Sequence, residues 1–222
     1  GSFTAEEEIM TRGYSLFPRK IDVTAYRILL SDMSRILNGY KISLIVTAAG
    51  TALSVFVTAL AAWPISQERV KYHSFLNFFV LFTMLFSGGM VANYLMITKY
   101  LHLKDNILVY ILPALVSPWN MMLLRNFFAT IPESLAESAK IDGANDMTIL
   151  MKIVLPIAKP GLVTIGLFYA LGYWNEWVKA MLYIDKENLI TLQYLIMKIL
   201  RNINFANTVA GSVGVSMNVP TY

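Results

Sequence analysis

The 222 residues include no cysteine, which excludes a disulfide framework and any thiolate metal site. Histidine is nearly absent too. His73 and His102 each stand at the end of an apolar run, the position of an interfacial imidazole rather than a metal ligand, so no metal site is expected. Charge is scarce: Asp, Glu, Lys and Arg make up 14% of the chain, against about 25% in an average soluble domain. No G-x-x-x-x-G-K phosphate loop is present, so the chain carries no motif of that kind for hydrolysing a nucleotide and is not read as an enzyme. The net charge of +4 forms no base-reading or phosphate-tracking stripe. It fits loops facing anionic lipid, not nucleic acid.

Apolar residues fill the space that charge leaves, at 56% of the chain. No formal charge occurs between Lys41 and Glu68, from Tyr72 to Thr98, or from Asn106 to Leu124. Each run reaches the roughly 20 residues a helix needs to cross about 30 Å of hydrocarbon. A fourth run extends from Pro160 to Ile184, with Glu176 and Lys179 near its far end. Four spanning helices are therefore expected in an all-α, polytopic bundle; so many uncharged runs do not fit a soluble chain of this length. The first, about Tyr40 to Ser66, is rich in the small residues that let helices approach closely in lipid. The second holds Gly88-Gly89, a mark of close packing or of local unwinding beside a cavity. The third carries Pro113 and Pro118 before Trp119-Asn120, and a proline inside a span frees backbone groups that need partners. Residues 1–38 read as a polar segment in which Asp22 or Thr24 caps a short helix running to Leu37. Residues 39–185 read as the membrane domain, and residues 186–222 as a loop leading out of it. Lys and Arg are spread over both sets of loops and leave orientation undecided.

Residues 126–159 are too polar to span and too patterned for a slack linker. Thr130-Ile131-Pro132-Glu133 reads as a helix start, with Thr130 as N-cap and Glu133 reaching back to it. Leu135, Ala136 and Ala139 line one side of that helix, opposite Glu137 and Lys140, and Gly143 closes it in a left-handed turn. Asn145 or Asp146 then caps a second helix with Ile149, Leu150, Ile153 and Val154 at helical spacing, ended by Pro156. The product is a small apolar knob edged with charge, a shape suited to a groove on another protein.

Glu137-Ser138-Ala139, Asp142-Gly143-Ala144 and Ile153-Val154-Leu155-Pro156 together resemble the EAA loop of ABC importer permeases, with Ser138 in place of the usual alanine. Gly13 to Pro18, Phe82 to Gly89, Ile141 to Ala144 and Gly172-Tyr173-Trp174-Asn175 are similar to the carbohydrate, maltose-type branch, and within it to the subgroup handling complex oligosaccharides. The resemblance implies a type I importer fold with six spans, of which this sequence would hold the second to fifth, in a bacterial inner membrane. It places the 130–156 loop in the cytoplasm, and residues 1–38 and 186–222 outside. Glu133, Leu135, Ala136, Glu137, Ser138, Ala139, Lys140, Asp142, Gly143, Ala144, Leu155 and Pro156 would then couple the permease to an ATPase. Partners implied are a second homologous permease, two cytoplasmic ATPase subunits that bind the ATP and magnesium, and an extracellular solute-binding protein. No cofactor is implied for this chain.

Sugars favour aromatic faces beside amides and carboxylates, so Trp119, Asn120, Tyr173, Trp174, Asn175 and Glu176 are candidate pathway residues. Tyr169, Tyr173, Glu176 and Trp177 fall near one helical stripe of the fourth span, and an acid within a span is a functional candidate. The same aromatics suit an interfacial belt, and Glu176 has a ready partner in Lys179. Leu192, Leu195, Ile196 and Ile199 form an amphipathic helix beyond the membrane. Three other functions remain open from the sequence: an importer permease for polyamine, phosphate or osmolyte, an ion-driven secondary transporter, and a scaffold without transport.

Overall fold

The computed structural model describes residues 33–213, and every regular element among them is helical. The reading that places a cap at Asp22 or Thr24 and the motif Gly13 to Pro18 lie outside the described residues. Among the described residues, helix α1 (Met33–Ser66) is the single helix long and apolar enough to cross a membrane unaided. Its 34 residues extend about 51 Å at 1.5 Å per residue. Three further segments cross only as bent pairs, which brings the possible spans to four. Each break has a local cause.

The second candidate span is α2 (His73–Leu85) followed by α3 (Gly89–Leu95) and a π-turn over Met96–Tyr100, bent by 108°. Gly89 has φ +78 and no neighbour within 4 Å of where its Cβ would stand, so the glycine pair unwinds the helix rather than packing it. The third is α4 (Leu108–Ile111), tightened into a 3₁₀ turn over Leu112–Ala114, then α5 (Pro118–Ala129), bent by 53°. Pro118 holds Ser117 extended at ψ 119 and starts a new helix there. Next come α6 (Glu133–Ile141), α7 (Asp146–Ile149), a π-turn over Leu150–Val154 and α8 (Leu155–Ile157). An 84° bend then leads into α9 (Lys159–Trp174). The fourth predicted span is not continuous to Ile184: α9 stops at Trp174, and α10 (Val178–Tyr183) restarts after a break at Asn175–Trp177. A 3₁₀ turn over Glu187–Leu189 precedes α11 (Leu192–Val213).

The core lies where α1 is flanked by α9 and α5. Val46, Leu124, Phe128 and Ile165 are fully buried there, and the Trp63 and Phe128 rings meet edge to face at 6.0 Å. Gly50 sets the closeness of α1 to α9, since a Cβ on it would stand 2.9 Å from the Tyr173 ring. By contrast, every residue from Leu81 to Met96 is exposed, including Phe82, Leu85, Phe86, Met90 and Val91. An apolar surface of that extent needs lipid or another protein over it.

Candidate functional site

Two places concentrate polar structure: the turn after α6, and the junction of α1, α9 and the broken third span. In the first, α6 ends in a Schellman motif. Gly143 takes φ +84, its N–H donates to the Lys140 carbonyl at 3.0 Å, and the Ala144 N–H donates to the Ala139 carbonyl at 2.9 Å. Asn145, not Asp146, caps the next helix, accepting from the Thr148 N–H at 2.8 Å. Asp146 instead receives two cations, Lys140 at 3.0 Å and Arg69 at 3.3 Å, the second from the α1–α2 connection. Nothing in the local pattern pointed to Arg69, which is far off in sequence.

Three details differ from expectation. Thr130 does not cap α6; its hydroxyl donates to the Phe127 carbonyl at 2.7 Å and closes α5, while Pro132 precedes α6 without a side-chain cap. Pro156 does not end the second helix: the chain widens into a π-turn just before it, Leu155 N–H bonding Leu150, and runs on to Ile157. Widening the turn rearranges the carbonyls that a proline lacking an N–H leaves without an α-helical partner. Leu135 does not share the inward side with Ala136 and Ala139. Ala136 is buried and Ala139 half-buried, whereas Leu135 is 41% exposed. Ile149, Leu150 and Val154 root the segment in the core. Ile141, 88% exposed, and Met147 project from it, with Glu133, Glu137, Ser138, Asp142 and Gly143 exposed around them. Leu155 is half-buried and Pro156 exposed at its base. Among the described residues neither glutamate has an ion-pair partner. The result is an apolar-tipped knob anchored at its base by buried side chains and carrying negative charge without an ion-pair partner among the described residues.

In the second place, two tyrosines of α9 repair the broken third span. The 3₁₀ turn bonds Leu115 N–H to Leu112, so the Ile111 carbonyl loses its α-helical donor; the Tyr173 hydroxyl donates to it at 3.4 Å. The Ser117 N–H, turned out of the helix before Pro118, donates to the Tyr169 hydroxyl at 2.9 Å. Each hydroxyl also pairs with α1, Tyr173 with Ser54 at 2.8 Å and Tyr169 with Thr58 at 2.7 Å. Freed backbone groups in a span thus find protein partners, as hydrocarbon requires.

Tyr173 is 3% exposed and Asn120 is buried, so both belong to helix packing and offer no surface to a passing solute. Trp119 is 64% exposed, Trp174 half-buried and Asn175 exposed, its amide nitrogen donating to the Leu171 carbonyl at 2.9 Å. Glu176 lies in the break after α9 rather than on the Tyr169–Tyr173 stripe. There it bonds the Lys179 N–H at 2.9 Å and pairs with the Lys179 ammonium.

A strap beyond α10 ties this end of the bundle together. Lys104 meets Asp185 at 2.8 Å, Arg35 meets Glu187 at 3.0 Å, and Asn38 donates to the Asn188 carbonyl at 2.9 Å. Asp105 accepts from the N–H groups of Asp185 and Lys186, which holds its carboxyl below the ordinary value. Thr191 donates to the Glu176 carbonyl at 3.0 Å, and Ser43 accepts from the Leu192 N–H at 2.9 Å.

The family model for binding-protein-dependent transport system inner membrane components matches residues 39–219. The chain belongs to that family. This permease is 41% identical over 198 residues to the polygalacturonan/rhamnogalacturonan transport system permease protein YtcP of Bacillus subtilis, covering 89% of this chain and 68% of that one. It is 38% identical over 199 residues to Protein LplC of the same organism, covering 90% and 67%. Among solved structures it is similar to a bacterial ABC transporter involved in the import of the acidic polysaccharide alginate, with a TM-score of 0.83 and 30% identity over 95% of this chain and 76% of that one. The permease is therefore a multi-pass inner-membrane component of an ABC transporter, and its fold is the one expected from the 126–159 loop.

Proposed function

We propose that this permease carries oligosaccharides, and that α6 with its Schellman turn is the seat of a cytoplasmic ATPase. The observation that carries the coupling role is the knob itself: exposed Ile141, Leu135 and Met147, with unpaired Glu133 and Glu137, on a segment rooted by Ile149, Leu150 and Val154. A rigid tip on a buried root transmits displacement instead of absorbing it, as a rigid-body switch between inward and outward access requires. ATP and magnesium would be bound by two ATPase subunits. A second homologous permease would complete the pathway, consistent with the uncovered apolar surface of α2 and α3, and an extracellular solute-binding protein would deliver cargo. Orientation follows, with α6 in the cytoplasm and the strap of residues 185–191 outside. Trp119, Trp174, Asn175 and Glu176 remain as pathway surfaces. The cargo class is supported by the pectin-type and alginate transporters to which the chain is similar.

The test is made on the complete transporter in proteoliposomes. Glu137→Arg and Gly143→Val are expected to abolish co-purification of the ATPase, or ATP-driven uptake of an oligogalacturonide, or both. Retention of assembly and uptake by both variants would refute the coupling role. Wild-type uptake of phosphate or spermidine but of no saccharide would refute the cargo.

A further inference from the structure

Between α10 and α11 lies an open groove of about 450 Å³ lined by Trp177, Met181, Tyr194, Met197, Lys198, Leu200 and Arg201. We infer that this groove binds the carboxylated sugar units of an acidic oligosaccharide at the extracellular mouth of the permease. The inference deepens, and rests on, the oligosaccharide reading above.

Charge comes first. From Leu192 to Val213 the chain contains Lys198 and Arg201 and no Asp or Glu. Acids nearby on this side are already engaged: Glu176 with Lys179, Asp185 with Lys104, Glu187 with Arg35, and Asp105 with two backbone N–H groups. Among the described residues neither Lys198 nor Arg201 has an ion-pair partner. Two cations three residues apart stand on one face of a helix, and the groove they border is complementary to an anion.

Shape and lining identify the kind of anion. A volume of this size falls in the range of small-ligand pockets, roughly 300–1,000 Å³, and a mostly apolar, aromatic wall with a few convergent polar groups is their usual composition. Trp177 and Tyr194 line the groove with aromatic surface, the kind that suits the C–H face of a pyranose. The planar fork of Arg201 suits bidentate pairing with a carboxylate, and Lys198 supplies a second, less directional charge. A uronate presents an apolar ring face and a carboxylate together, and so matches both halves of the wall.

The complete transporter in nanodiscs of zwitterionic phosphatidylcholine, without binding protein, should show saturation-transfer NMR signals from trigalacturonate. It should show about tenfold weaker binding of uncharged maltotriose. Lys198→Gln and Arg201→Gln should each weaken trigalacturonate binding about tenfold, the cost of one charge-assisted hydrogen bond, and leave maltotriose unaffected; elution on size exclusion checks that they fold. Equal trigalacturonate binding by wild type and the double variant overturns the inference. So does abolition of binding in phosphatidylglycerol nanodiscs, which gives the groove to lipid headgroups. Loss of affinity for the unloaded binding protein in the double variant overturns it as well, because the groove is then a protein seat. If wild-type proteoliposomes import neither acidic nor neutral oligosaccharides, the parent reading fails. If they import them and the variants bind like wild type, only the groove fails.

Discussion

The turn after α6 and the tyrosine junction of α9 are both polar structures built around a glycine, and they differ in where their instructions lie. The backbone and capping bonds of the turn join residues at most five apart, Ala139 to Ala144 and Asn145 to Thr148, with one distant tie from Arg69 to Asp146, and its tip is exposed. The junction joins Ser54 to Tyr173, Thr58 to Tyr169 and Ser117 to Tyr169, partners 119, 111 and 52 residues apart, and it is largely buried. A surface offered to a partner can be written locally, because its neighbours need not be known. A buried junction within a membrane cannot, because each freed backbone group must be met by a side chain from a distant helix.

If that contrast is right, the junction should be the more fragile of the two. Tyr169→Phe leaves the Ser117 N–H without its acceptor in a dry site and is expected to destabilise the purified permease by about 1–3 kcal/mol. Tyr173→Phe should cost less, since its bond to Ile111 is long at 3.4 Å. Gly50→Ala should fall in a similar range, about 1–3 kcal/mol for overpacking, because its Cβ would displace the Tyr173 ring from Ser54. Thermal unfolding in detergent measures all three; if Tyr169→Phe matches wild type, the junction does not hold the third span.

The turn should respond more weakly in stability. Gly143→Ala places a Cβ in the left-handed region, which costs about 1–2 kcal/mol, with open space around it and nothing to displace. Asn145→Ala removes one N-cap, about 1 kcal/mol. Proteolysis at the exposed α6–α7 turn, compared with global unfolding, should show the second change as local. Global unfolding shifted as far as in Tyr169→Phe would break the comparison.

The same division explains what the sequence allowed. Apolar runs located the four segments able to span, since the bilayer imposes one length and one polarity on each, but not the bends that leave α1 as the single unbroken one among the described residues. Gly143, Asn145 and the Ile149–Val154 spacing are enough to place the turn and the buried root of the 126–159 loop, but not its start after Pro132, its continuation through Pro156 or the outward side of Leu135. Thr130 is ambiguous in the sequence, because a threonine near a proline can close the preceding helix, as it does here, as readily as open the next. No proline marks the end of α9 at Trp174, and Gly172 stands inside its last turn rather than past it. One signal is distant, the Glu176 carbonyl accepting from Thr191, and the other is local, the Glu176 carboxylate accepting from the Lys179 N–H three residues on. Tyr173, a candidate aromatic face for sugar, instead serves the Ile111 carbonyl, left without its helical donor by the 3₁₀ turn around Pro113. Freed groups imply that a partner exists, but say nothing of which helix supplies it.

Asp105 offers the smallest test, on the strap that shares the junction's non-local character. It has φ +56, a left-handed conformation that Asp and Asn tolerate. The N–H groups of Asp185 and then Lys186 depress its carboxyl below the ordinary 3.8. A depressed acid contributes stability that is present above the unfolded value and lost as pH falls through the folded one. Lys104, raised above 10.5 chiefly by its hydrogen bond to Asp185, works in the opposite sense: its contribution is intact below that value and lost only as pH rises past it. The strap should therefore be insensitive to pH from about 5 to 10, and should loosen on acidification below about 4. Hydrogen exchange of the Asp185 and Lys186 amides, corrected for the intrinsic rate, should show protection falling in that acid window. In Asp105→Asn, the amide oxygen still accepts and the left-handed conformation is kept, but nothing titrates at this position. Protection should start lower and lose this acid step. An unchanged step in the variant would assign it to another carboxylate and remove Asp105 as the strap's anchor.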